Sequence, residues 1–201
     1  MKQQVVVMHG GTTFDTYDEY ISYLQTKEVD PERLRQQKSW KNSLPETLGD
    51  NFDCLFPQMP NGTNAKYAEW KLWFERLMPY FDGNLILIGH SLGGIFLAKY
   101  LSENKFPKKI KVTILISPPF DDANGGETLS DFKLPKDLSR FSENSPVIYL
   151  LQSKDDQTVP FEQHEKYVKA LPSAKEMVFE DRGHFNLETF PEIIELIKSF
   201  K

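Results

Sequence analysis

The sequence predicts a three-layer α/β sandwich built on a mostly parallel, doubly wound sheet of about six strands. Three observations lead there. Short apolar runs alternate with longer stretches of helical periodicity, the arrangement that lays helices over both faces of a sheet. Several of those runs are continuously apolar, as in strands buried on both faces. The segments between them are long enough for right-handed crossovers. At 201 residues the chain suits a single domain, 1–201, with one substantial core.

The first strand is Val5-Val6-Val7-Met8, running into His9-Gly10-Gly11-Thr12-Thr13. Adjacent glycines there allow a turn whose backbone N–H groups point into open space. Over residues 16–27, Tyr20, Ile21, Tyr23 and Leu24 recur at helical spacing. Asp30-Pro31 opens another short turn or helix. Residues 38–51 read as a polar connection with little periodicity, pinned to the body by Trp40 and Leu44. Asp53-Cys54-Leu55-Phe56-Pro57 is the second strand. Over residues 65–80, Tyr67, Trp70, Trp73, Phe74 and Leu77 mark an amphipathic helix whose aromatic stripe belongs to the core.

Leu85-Ile86-Leu87-Ile88 is the third strand, with Gly89-His90-Ser91-Leu92-Gly93-Gly94 directly after it and a helix through residues 95–101. Residues 111–116 form the fourth strand. Residues 121–145 mix Gly, Pro, Asp and Ser with scattered apolar residues, and read equally as a small lid or a surface loop. Val147-Ile148-Tyr149-Leu150-Leu151 is the fifth strand. Pro160 opens a helix, as proline does in a first turn, and Met177-Val178-Phe179 is the sixth strand. Ile193, Ile194, Leu196 and Ile197 mark a closing helix over residues 191–200.

Composition narrows the function classes. With 39% hydrophobic and 26% charged residues the chain reads as soluble, and no run is long enough to span a membrane. The apolar run near the N-terminus is too short for a signal peptide. A formal charge of −5 argues against nucleic acid as a partner. The single cysteine, Cys54, rules out an internal disulfide and fits a reducing compartment, so the expected location is cytoplasmic. Cys54 itself reads as a buried structural thiol.

The chemistry is carried by the G-x-S-x-G run Gly89–Gly93, set between a strand and a helix. That context makes a sharp turn with the serine hydroxyl clear of the sheet, so Ser91 is the candidate nucleophile. In a doubly wound sheet functional groups gather beyond the carboxyl ends of the strands. There the fifth strand is followed by Asp155-Asp156 and the sixth by Gly183-His184. The order Ser, Asp, His is that of an α/β-hydrolase.

Each type has a task. A serine hydroxyl needs a base to take its proton as it attacks a carbonyl. That base needs a carboxylate to fix its tautomer and steady the imidazolium. Of the four histidines, His184 in its Gly-His-Phe turn is the candidate base. His164 reads as a solvated residue of a helix, His90 as pointing away from the serine, and His9 as a brace for the glycine turn. Asp156 is favoured over Asp155 as the acid. The oxyanion hole calls for backbone donors: the N–H of Leu92, and that of Gly11 with Thr12 as its rival.

These residues resemble the α/β-hydrolase superfamily, and within it the small serine hydrolases of the retinoblastoma-binding protein nine and YdeN type. The resemblance rests on His9-Gly10-Gly11, Met59-Pro60-Asn61 before a Trp70-bearing helix, Gly89 to Gly94, Asp156 with Val159-Pro160, and Gly183-His184-Phe185. It spans nearly the whole chain, and departs in the long polar segment 31–51. It implies a minimal hydrolase fold without a large cap domain and the triad Ser91, Asp156 and His184.

The expected function is a serine hydrolase that needs no metal or cofactor and acts on a small-molecule carboxylic ester or related acyl bond. Two alternatives stay open: an amidase or peptidase on the same residues, and a protein-binding or regulatory module on a hydrolase fold.

Overall fold

The computed structural model describes residues 2–31, 35, 38–122 and 128–201. Six strands form one parallel sheet: β1 (Gln3–Met8), β2 (Phe52–Leu55), β3 (Leu85–His90), β4 (Ile110–Ile116), β5 (Ile148–Ser153) and β6 (Lys175–Phe179), in the order β2-β1-β3-β4-β5-β6. The order reverses between β1 and β3. A crevice therefore opens beyond their carboxyl ends, the usual place for a ligand in such sheets. Met8 pairs with Gly89 there, so the turn after β1 and the turn after β3 stand side by side.

Strand alternation sorts the apolar residues into two cores. Val6, Met8, Leu85 and Leu87 face one layer, formed by α3 (Tyr67–Leu77), α4 (Leu92–Glu103), α5 (Ser139–Asn144) and α6 (Phe161–Ala170). In that layer Trp70, Phe74 and Phe96 pack edge to face, the arrangement aromatic quadrupoles favour. Val5, Val7, Ile86 and Ile88 face the other layer, where α2 (Trp40–Leu48) and α7 (Pro191–Lys198) lie. Helix α1 (Tyr17–Thr26) buries no residue and starts at a capping box between Thr16 and Glu19.

The largest departure from the sequence reading is α2, which replaces the expected irregular connection over residues 38–51. Ser39 caps it by accepting from the Lys41 N–H, and Gly49, at φ 75°, ends it. Trp40, Leu44 and Leu48 fall on one face at four-residue spacing and are buried. The proline at position 45 and the polar residues around it obscure that stripe. The turn expected at Asp30-Pro31 and the first part of segment 121–145 lie partly outside the described residues. In the part of that segment from residue 128 on, Ser130–Phe132 is a 3-10 turn and α5 is helical. Among the described residues no helix is long and apolar enough to cross a membrane.

Candidate active site

Ser91 sits between β3 and α4 at φ 55°, ψ −124°, a conformation that serine adopts only where the surroundings impose it. The imposition is visible in the packing. A β-carbon on Gly93 would lie 2.5 Å from the His9 carbonyl oxygen, so α4 can leave the turn only by passing directly over the end of β1. The Ser91 N–H donates to the Ile116 carbonyl at 2.9 Å, and the Ser91 carbonyl accepts from Gly94 at 2.8 Å. The turn is thus held on both sides, while the Ser91 hydroxyl has no hydrogen-bond partner among the described residues. It lies 3.6 Å from where a β-carbon on Gly10 would be, facing the glycine turn after β1.

That turn is braced by His9. Its Nδ1–H donates to the Gly10 carbonyl at 2.6 Å, and its Nε2 accepts the Met59 N–H at 2.9 Å. Thr12 donates its N–H to the Gly62 carbonyl at 2.9 Å, which removes Thr12 as a free backbone donor. The N–H groups of Gly11 and Leu92 have no partner among the described residues. Gly11 is confined by the next loop: a β-carbon there would lie 2.7 Å from the Gly62 carbonyl oxygen and 3.1 Å from Leu92.

His184 follows β6. Its Nδ1–H donates to Asp156, 2.9 Å from Oδ2 and 3.2 Å from Oδ1. The Asp156 side chain is 0% exposed and that of His184 12%. The N–H groups of Thr158 and Val159 also donate to Asp156 Oδ1, at 2.8 and 3.0 Å. Burial alone would raise the Asp156 carboxyl. The hydrogen bond and charge of His184, with the Val159 N–H, outweigh it and hold the group below the usual carboxylate value. Asp156 is therefore a carboxylate, and its bond to Nδ1 leaves Nε2 as the ring nitrogen turned away from it. The Ser91 hydroxyl and the His184 ring are not hydrogen-bonded to each other here. Such bonds often tighten only with substrate in place.

Asp155 does different work. Its Oδ1 accepts from the Gly183 N–H at 2.9 Å and from the Ser153 hydroxyl at 2.5 Å. It holds the histidine's loop and leaves the ring alone.

His164 corrects the sequence reading: it is 2% exposed, not solvated, and its Nε2 lies 2.9 Å from Glu176 on β6. Cys54 is half-buried, and burial together with the neighbouring Asp53 charge pushes its thiol up to about 11. It is a thiol, without thiolate reactivity. Among the described residues no three His, Cys, Asp or Glu side chains gather as metal ligands would.

The sequence reading gave Gln152 no role, and gave Trp40 only as an anchor of residues 38–51. Gln152 Nε2 donates to the Val159 carbonyl at 2.8 Å and reaches Asp156 Oδ2 at 3.3 Å, steadying the turn that carries the carboxylate. Trp40 Nε1 donates to the Phe185 carbonyl at 2.9 Å, and the Trp40 N–H to Leu187 at 3.0 Å. Trp40 and its partners lie far apart in the chain and leave no local signal.

A family profile described as serine hydrolase matches residues 33–198. Serine hydrolase RBBP9 of Rattus norvegicus is 30% identical over 148 residues, 74% of this chain and 77% of the rat protein. Of the solved structures, the ydeN gene product from B. subtilis aligns with a TM-score of 0.75 at 19% identity, covering 99% of this chain and 98% of that one. Est1E from Butyrivibrio proteoclasticus aligns with a TM-score of 0.61 at 15% identity, covering 99% of this chain and 86% of that one. Both structural likenesses are likenesses of fold.

Proposed function

The chain belongs to the serine hydrolase family, and we propose that it cleaves a carboxylic ester or related acyl bond through an acyl intermediate on Ser91. The observation that carries this reading is the 2.9 Å hydrogen bond from His184 Nδ1 to the buried Asp156 carboxylate, at the sheet end that also presents Ser91.

With Nδ1 committed to Asp156, the lone pair of His184 Nε2 accepts the Ser91 proton as Oγ attacks the acyl carbon. The Asp156 carboxylate then steadies the imidazolium. The N–H groups of Leu92 and Gly11 receive the oxyanion, each donor worth about 3–4 kcal/mol in reactions of this kind. As the tetrahedral adduct collapses, His184 returns the proton to the leaving alcohol. Water, deprotonated by the same ring, then releases the acid from Ser91. None of these steps calls for a metal or cofactor.

The partner in this reading is a small-molecule acyl substrate. EaEST from Exiguobacterium antarcticum, described as an esterase, supports an ester as the first choice. Residues 128–145, the described end of the segment read as a lid or loop, act as a partial cover. In support, the Thr13 hydroxyl, next to the glycine turn, donates to the Thr128 carbonyl, and Phe132 packs edge to face on Trp70 at 5.3 Å. The lone thiol at Cys54 supports a reducing, cytoplasmic setting.

The test is hydrolysis of nitrophenyl esters from acetyl to octanoyl by the wild-type chain, Ser91→Ala and His184→Ala. Loss of about 10³-fold or more in kcat in both variants is expected. Undiminished turnover in Ser91→Ala would overturn the reading. Charge substitutions at Leu129 or Leu134 should shift the chain-length preference if the segment covers the site, and an unchanged profile would remove that part.

A further inference from the structure

A second histidine lies beneath the loop that carries His184, and the proposed reaction gives it no task. His90 ends β3, on the same side as Ile86 and Ile88, facing α2. Its Nε2 lies 2.8 Å from the His184 carbonyl oxygen, and its Nδ1 lies 2.8 Å from the Lys41 ammonium on α2. The two imidazole rings also touch, with centroids 4.9 Å apart.

The chemistry allows only one arrangement of protons. A carbonyl oxygen accepts and an ammonium donates, so Nε2 must carry the hydrogen and Nδ1 the lone pair. The opposite tautomer would set an N–H against the ammonium and a lone pair against the carbonyl. Burial lowers Lys41 to about 8, so it is still an ammonium at neutral pH, and with the carbonyl it favours the tautomer that can bond to His184. Burial, with Lys41 and His184 adding to it, holds His90 well below the usual histidine range, so its ring stays neutral and keeps both roles.

The loop being held needs holding. Gly183 and Phe185, on either side of His184, both have positive φ, at 51° and 54°. Phe185 is a bulky residue in the left-handed region, which it leaves unless contacts prevent it. Those contacts are His90 on the His184 carbonyl, Trp40 on the Phe185 carbonyl and Asp155 on the Gly183 N–H.

We propose that Lys41 and His90 are positioning residues for His184: Lys41 favours the donating His90 tautomer, and the His90 Nε2–H clamps the His184 carbonyl so that the imidazole stays on Asp156 and in reach of Ser91. The claim rests on the hydrolase reading above and extends it to residues that touch neither substrate nor nucleophile.

The experiment combines kinetics with a readout independent of activity. Nitrogen NMR of the imidazole rings should show His90 protonated only at Nε2 in the wild-type chain, and a measurable share of the Nδ1 tautomer in Lys41→Met, where the His184 carbonyl alone still favours Nε2–H. His90→Phe fills the space without either bond, and kcat should fall about tenfold to a hundredfold with KM nearly unchanged. His90→Gln restores one donor and one acceptor and should recover most of that loss. Should the aromatic variant fail to fold, Lys41→Met gives the kinetic arm, with a smaller fall in kcat. A wild-type His90 protonated at Nδ1, or equal losses in the Phe and Gln variants with both folded, would overturn the positioning role while leaving the hydrolase reading intact. A wild-type chain that hydrolyses no acyl ester would overturn both, whatever the tautomer.

Discussion

Asp155 and Asp156 are neighbours in the chain, yet they hold different parts of one turn. Asp156 accepts from the His184 ring at 2.9 Å, and Asp155 accepts from the Gly183 N–H at 2.9 Å. The turn after β5 sends one side chain inward and leaves the other at the surface. Asp156→Asn should lower kcat by about 10⁴-fold, because an amide no longer enforces the tautomer with a free Nε2. Asp155→Asn removes a charge-assisted bond to the loop and should cost about tenfold. Steady-state kinetics on a nitrophenyl ester check both, and equal losses in the two variants would contradict the division of roles.

Asp156 also ties stability to pH. Its folded-state carboxyl is held below the usual value by the His184 bond and charge and the Val159 N–H, against the opposing effect of burial. With a depressed folded pKa, the unfolded chain takes up the proton first as pH falls. The contribution is therefore fully present above the unfolded value and lost as pH drops through the folded one. Urea midpoints below about pH 4 should fall more steeply for the wild-type chain than for Asp156→Asn. Parallel curves would show that the carboxylate adds nothing to stability.

Gly11 makes a sharper test of the oxyanion turn than a loop deletion would. A β-carbon there meets the Gly62 carbonyl oxygen at 2.7 Å, a backbone atom that cannot swing aside. Gly11→Ala should displace the amide or the loop, and kcat should drop by about 10²-fold. A variant with wild-type kcat would move the second donor elsewhere.

Trp40 joins α2 to the His184 loop through its Nε1–H. In Trp40→Phe the Phe185 carbonyl loses that partner in a buried setting, which should lower stability by about 1–3 kcal/mol. Urea denaturation measures it, and an unchanged midpoint would mean the loop does not depend on α2.

The sheet was legible in the sequence because parallel strands buried on both faces are written as unbroken apolar runs, as at Leu85 to Ile88. The Ser91 turn was legible because its glycines are demanded by backbone contacts at fixed spacing. Helix α2 was not: Pro45 and five polar neighbours dilute its Trp40, Leu44, Leu48 stripe, and its support comes from the sheet beneath. His164 was misread because its partner, Glu176, lies on another element. The choice between Asp155 and Asp156 turns on backbone direction after β5, which residue types alone do not express. The Lys41–His90–His184 contacts join three separate stretches of chain, and only the folded form places them together.

Fluorophosphonate labelling with peptide mapping tests the central claim most directly. An activated serine is phosphonylated while ordinary hydroxyls are not. The account predicts stoichiometric modification at Ser91 in the wild-type chain and none in Ser91→Ala or His184→Ala. Labelling at another residue, or undiminished labelling in His184→Ala, would contradict it.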